Sequence, residues 1–191
     1  RVRERGLEGR VDIRLEDYRE HRGEYDRIVS VGMFEHVGVP YYQRYFELVR
    51  ERLPEDGVAL IHTIGRRSPP GLTNSWTRRY IFPGGYIPAM SETMAAIERS
   101  SLVCADVEVL RRHYAFTLQH WLQRFQTVRD QWVQRRSETF CRMWEFYLAA
   151  SASSFLWRDL LVFQFQLARS LEAVPITRDY LYRPAQIGAE A

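Results

Sequence analysis

Lysine is missing from this 191-residue chain, and all 27 basic residues are arginine. That absence excludes chemistry needing a lysine amine, such as a Schiff base, and the lysine of a nucleotide P-loop. Only two cysteines occur, Cys104 and Cys141, at no metal-binding spacing and too few for a disulfide framework. A reducing, cytoplasmic setting follows as the default expectation. No apolar run approaches the roughly 20 residues of a membrane-spanning helix, and no signal-peptide pattern opens the chain. Internal repeats and low-complexity tracts are also lacking. The first residue is Arg1 rather than Met, so the text is expected to start inside something longer.

What is present suits a packed domain. Hydrophobic residues make up 46% and charged residues 27%, enough apolar material for a core, with a net charge of only +3. The arginine pairs at 66–67, 78–79, 111–112 and 135–136 are dispersed and interleaved with acids, which argues against a nucleic-acid surface.

Val11 to Leu15 (VDIRL) alternate apolar and polar and predict a half-buried strand. Asp26 to Val31 (DRIVSV) predict a second strand. Pro40 opens a helix through Leu53, with Tyr41, Tyr45, Leu48, Val49 and Leu53 at helical spacing. The PEDG turn at 54–57 leads into Val58 to Ile64 (VALIHTI), apolar enough for a central strand. Strand, helix, strand in this order implies a βαβ unit and an α/β fold. Residues 65–88, rich in Pro, Gly, Ser and aromatics, read as a functional loop. A short helix from Ser91 to Arg99, with Ser91 as its cap, and a strand from Leu102 to Leu110 follow. Tyr114 to about Leu171 reads as helical throughout, and Val174 to Tyr182 as a terminal strand or extended tail. The expected organisation is one domain: a sheet portion over residues 1–112, a helical cap over 113–172 and a tail over 173–191.

Ligands of open α/β sheets sit beyond the carboxyl ends of the strands. Glu35 and His36 follow DRIVSV in GMFEHVG, His62 lies near the end of VALIHTI, and Tyr114 follows the 102–110 strand. Each has a plain alternative. A Glu-His pair can cap the next turn or face water; a histidine between Ile61 and Thr63 can be a satisfied core residue; a tyrosine opening a helix can be packing. Their convergence on one rim is what suggests a site. Arginine beside Trp76 and Tyr80 in SWTRRYIF suits a lipid headgroup as well as a solvated loop. Phe140, Met143, Trp144, Tyr147, Ser151 and Ser154 recur at three- and four-residue steps. That stripe reads as core, or as one wall of a slot for an acyl chain.

The stretches YDRIVSVGMFEHVG, ALIHTIG, YIFPGGYIP, HYAFTLQHW and FYLAASASSFLWRDL resemble the cyclopropane-fatty-acyl-phospholipid synthases and the related mycolic acid cyclopropane synthases, from about Val11 to about Arg169. The resemblance implies part of a Rossmann-like class I methyltransferase sheet with an added C-terminal helical cap. It implies S-adenosylmethionine as cofactor and methyl transfer to the cis double bond of a phospholipid acyl chain, closed to a cyclopropane by a bound bicarbonate acting as base. By motif, Glu35, His62 and Tyr114, with the backbone of Ile64, match the bicarbonate positions. Asp17, Tyr18, Gly32 and Met33 match cofactor contacts, and Tyr147, Ser151 and Phe155 fall in the acyl pocket. The implied setting is cytoplasmic, with peripheral contact on the inner membrane face; a homodimer is compatible.

Two departures from the family pattern are visible. The Gly-rich segment that grips the cofactor's methionine end is not in this text, so the chain as written is expected to be inactive alone. Ser151 stands where family members often carry cysteine, a swap that keeps size and polarity. Two other functions stay open at this point: a small-molecule amine methyltransferase on the same scaffold, and a non-catalytic lipid-binding homologue.

Overall fold

A computed structural model describes residues 1–182. Four strands form one sheet: β1 (Arg27–Val31), β2 (Val58–Arg66), β3 (Val103–Leu110) and β4 (Leu160–Ala168). Six helices accompany them: α1 (Tyr42–Glu51), α2 (Ser75–Tyr80), α3 (Met90–Arg99), α4 (His113–Thr127), α5 (Arg129–Arg135) and α6 (Glu138–Trp157). The spatial order is β1-β2-β4-β3, with β1 and β2 parallel and β4 antiparallel to both its neighbours. The βαβ unit is therefore β1-α1-β2, as the apolar patterns of its three segments require.

Residues alternate strictly between the two faces of β2. Ala59, Ile61 and Thr63 are fully buried on the face that meets α1 and α3, together with Phe34, Phe46, Ile97, Phe163 and Phe165. Ile64 of β2, Val162 of β4 and Leu110 of β3 point the other way and pack with Leu118 of α4 and Leu148 of α6. Two cores thus lie on opposite sides of one sheet, and the second carries α4–α6 over the carboxyl end of β2.

Gly65 is required by this packing. A Cβ built there would lie 2.2 Å from Cε2 of the buried Phe163 and 3.2 Å from the Pro88 carbonyl. Gly65→Ala should therefore force the ring off its seat and lower stability by about 1–3 kcal/mol. Urea unfolding, with an unchanged slope and a lower midpoint, would register it.

Three expectations need correction. Val11 to Leu15 form no strand, and Ile13 and Leu15 are exposed. Alternation makes a strand only where a neighbour supplies ladder partners, and none lies beside this segment among the described residues. The helical run from Tyr114 ends at Trp157, and after Arg158 and Asp159 the nine residues Leu160–Ala168 become β4, inserted between β2 and β3. The non-helical backbone at Arg158 (φ −113°, ψ −141°) makes that break without a Gly or Pro to announce it. Ser91 is not the cap of α3: Glu92 reaches back to accept the Ala89 N–H at 2.8 Å. Smaller differences follow from local chemistry. The 65–88 loop holds α2, capped by Asn74 Oδ1 on the Trp76 N–H at 2.8 Å. The tail makes a short 3-10 turn at Arg178–Leu181.

Candidate active site

β1 ends at Val31, and the following Gly32, with a left-handed φ of +64°, turns the chain out of the sheet. Its N–H makes the last β1–β2 bond, to the His62 carbonyl at 3.0 Å. The chain then enters a 3-10 turn, Phe34–His36. Phe34 is fully buried and stacks on Tyr42 at 4.2 Å between ring centroids. That anchor fixes the turn and aims the next side chain back at the sheet. Parallel bonding repeats every second residue, so the Ile64 N–H is the next β2 donor facing the departed strand. Glu35 Oε1 takes it at 2.6 Å. Glu35 Oε2 is buried and has no hydrogen-bond partner. An unpartnered buried carboxylate oxygen is costly and marks a place where a donor belongs.

Tyr114 sits in the first turn of α4, its ring against Phe155 (5.2 Å) and Trp121 (6.0 Å). Burial raises its phenol pKa, and the nearby Glu35 charge adds to the rise. The hydroxyl therefore stays protonated, able to donate. Tyr147 of α6 is pushed up to about 12, chiefly by burial.

Glu35, Ile64 and Tyr114 line one cavity of about 730 Å³. Tyr147, Ser151 and Phe155 form another part of its wall, as do Trp76, Phe82 and Phe146, so most of the lining is aromatic or apolar. Arg66 and Arg158 are the cationic members of the lining. Gly32 borders the same space. The structure thus brings together Glu35, Ile64, Tyr114, Gly32 and the three acyl-pocket candidates.

The other candidates lie elsewhere. His62 is on the same face of β2 as Ile64, two residues earlier, but is not part of the cavity lining; its Nδ1 meets Gln164 Oε1 at 3.0 Å. Met33 packs into the core beneath Phe34. Tyr18 presents its ring edge to Tyr45 at 5.7 Å. Asp17 is engaged by Arg19, with Oδ1 accepting from Arg19 Nε at 2.9 Å. That side-chain bond, with the Arg19 backbone N–H, lowers the Asp17 pKa to about 2. Asp17 and Tyr18 do not line the cavity.

Sequence reasoning missed Gln164, because its segment reads as helix. The signal was available: Gln164 and Gln166 alternate with Phe163, Phe165 and Leu167, a strand with one polar face. Trp76 and Phe82 lie in the 65–88 loop that the sequence marked as functional, but only the tertiary fold places them beside Phe146 in one wall.

Comparison with known proteins fits this geometry. The family described as mycolic acid cyclopropane synthetase matches residues 1–165. The cyclopropane-fatty-acyl-phospholipid synthase of Escherichia coli (strain K12) is 38% identical over 85% of this chain and 42% of its own length. The tuberculostearic acid methyltransferase UfaA1 of Mycobacterium tuberculosis is 39% identical over 88% of this chain and 41% of its own. Among solved structures, the mycolic acid cyclopropane synthase CmaA1 complexed with SAH and CTAB superposes with a TM-score of 0.72. It is 31% identical, covering 79% of this chain and 57% of that one. The chain spans about two-fifths of the length of these curated relatives, and its α/β fold is that of the class I methyltransferases. With the match running through the cavity-lining turn, strand and helices, this chain belongs to the mycolic acid cyclopropane synthetase family.

Proposed function

We propose that the protein methylates the cis double bond of an unsaturated phospholipid acyl chain and closes it to a cyclopropane. The observation that carries this reading is the buried, unpartnered Oε2 of Glu35 in a cavity with aromatic walls. A carboxylate only accepts hydrogen bonds, and Tyr114, in the same cavity lining, can donate. The pair fits an anion that carries one hydroxyl, which is what bicarbonate offers.

S-adenosylmethionine, when bound, supplies an electrophilic methyl group. Gly32 leaves bare backbone at the carboxyl end of β1, and a Cβ there would meet nothing within 4 Å. Asp17, whose carboxyl is held well below the usual carboxylate range by Arg19, is ionised at neutral pH and could accept from the adenine amino group. Relatives point the same way: CmaA1 was solved with SAH, the demethylated form of this cofactor.

Methylation of an alkene leaves a carbocation, which water would trap as an alcohol. Tyr147, Phe155 and their neighbours exclude that water. Bicarbonate, when bound, would supply the base for the proton lost as the ring closes; Glu35 would orient its hydroxyl by accepting a hydrogen bond from it, and Tyr114 would steady the anion by donating one. Ser151 and Ser154 give α6 small residues along the slot, leaving room for a hydrocarbon. Arg66 and Arg158 at the same cavity suit a headgroup phosphate. No helix among the described residues is long and apolar enough to cross a membrane.

Vesicles of an unsaturated phospholipid, with S-adenosylmethionine, bicarbonate and an intact version of the protein, provide the test. The expected product is an acyl chain heavier by one CH₂ and resistant to hydrogenation as an alkene. Product that is a methyl branch or methylene would revise the closure step, and transfer only to soluble amines would reject the lipid reading.

A further inference from the structure

His62, Gln164 and Glu108 stand in one transverse row of the sheet. His62 of β2 and Glu108 of β3 are both direct cross-strand partners of Gln164 in β4, so all three side chains share a face. The row is hydrogen-bonded along its length. Gln164 Nε2 donates to Glu108 Oε2 at 2.6 Å, and Gln164 Oε1 lies 3.0 Å from His62 Nδ1.

Donor and acceptor chemistry gives this row a direction. A carboxylate accepts and does not donate, so Glu108 requires the amide to turn its NH₂ outward along the row. The amide oxygen must then face His62. That oxygen has no hydrogen to give, so the ring nitrogen opposite it must carry one. His62 is held as the Nδ1–H tautomer, and Nε2 is the nitrogen left for any other partner.

We propose that Gln164, oriented by Glu108, is a positioning residue that sets the tautomer of His62. The consequence for chemistry is specific. A neutral His62 held this way offers Nε2 as an acceptor; it donates from Nε2 only as the imidazolium. Within the reading above, a neutral His62 would have an acceptor and no donor left at Nε2, leaving Tyr114 as the donating side chain toward the bound anion. That catalytic meaning rests on the proposed function; the tautomer assignment does not.

Long-range ¹H–¹⁵N spectra of the histidine rings test it, with His62 assigned by its loss in His62→Gln and the pH held where the ring is neutral. The expected pattern for the native protein is Nδ1–H. Gln164→Leu should move His62 toward the Nε2–H form that free imidazole side chains prefer. Glu108→Gln should retain the native pattern, because its amide oxygen can still accept from Gln164. Glu108→Leu, at an exposed position, should give a mixture. An Nε2–H pattern in the native protein, or an Nδ1–H pattern that survives both leucine variants, overturns the proposal. In the vesicle assay, Gln164→Leu should lower kcat by roughly 10–100-fold, the usual size for the outer partner of a working histidine, with KM for S-adenosylmethionine unchanged. A tautomer that shifts without any fall in kcat would reject the catalytic role of His62 while leaving its tautomer assignment intact.

Discussion

In an intact version of the protein, Glu35→Gln is expected to reduce ring formation by about 10²–10⁴-fold while S-adenosylmethionine binding stays near native. The substitution is close to isosteric, and its amide oxygen can still accept the Ile64 N–H that Oε1 accepts now. What changes is the second atom. The buried, unpartnered Oε2 becomes an NH₂, a donor where the proposed bicarbonate hydroxyl needs an acceptor. The negative charge that helps raise the Tyr114 pKa is lost as well. Product analysis by mass and equilibrium dialysis with the cofactor separate the two effects. Equal loss of both would show that Glu35 holds the fold or the cofactor rather than the base.

Phe34→Ala should cost about 3–5 kcal/mol, a large part of the stability of a domain this size. The ring is fully buried and touches three others, Tyr42 at 4.2 Å, Tyr45 at 5.2 Å and Phe46 at 5.3 Å. Its removal opens a cavity that these aromatic neighbours, fixed on α1, cannot close. Denaturant titration would show a lower midpoint with the slope preserved. A loss below about 1 kcal/mol would mean that the neighbours repack and the Phe34–His36 turn is held by other contacts.

Much of the fold was legible because its signals are local. DRIVSV and VALIHTI are short, β-branched and bounded by turn residues, and both became strands beside the helix that Pro40 introduces. The meeting of Glu35 with Tyr114 was legible only as a guess about strand ends. It depends on Gly32 turning the chain and on α4 starting immediately after β3. β4 was hidden because the aromatic stripe of α6 runs into LLVFQFQLA with no punctuating residue, and apolar period alone does not separate a buried strand from a buried helix. Losing β4 also concealed Gln164, and with it the company His62 keeps. Val11 to Leu15 misled in the opposite way: the pattern was right for a strand, but pairing is a property of two segments and not of one. The 65–88 segment was legible as a functional loop, but that its Trp76 and Phe82 form one wall with Phe146 was not, since only the folded chain brings α2 and α6 together.

The bond from the Ile64 N–H to Glu35 makes one amide proton answer for two things at once. It belongs to the sheet by position and to the cavity by partner. Its exchange with deuterated solvent is therefore a gauge of whether the carboxylate is seated, readable in a spectrometer with neither lipid nor methyl donor in the tube. Assembly of the catalytic corner can in this way be followed separately from turnover.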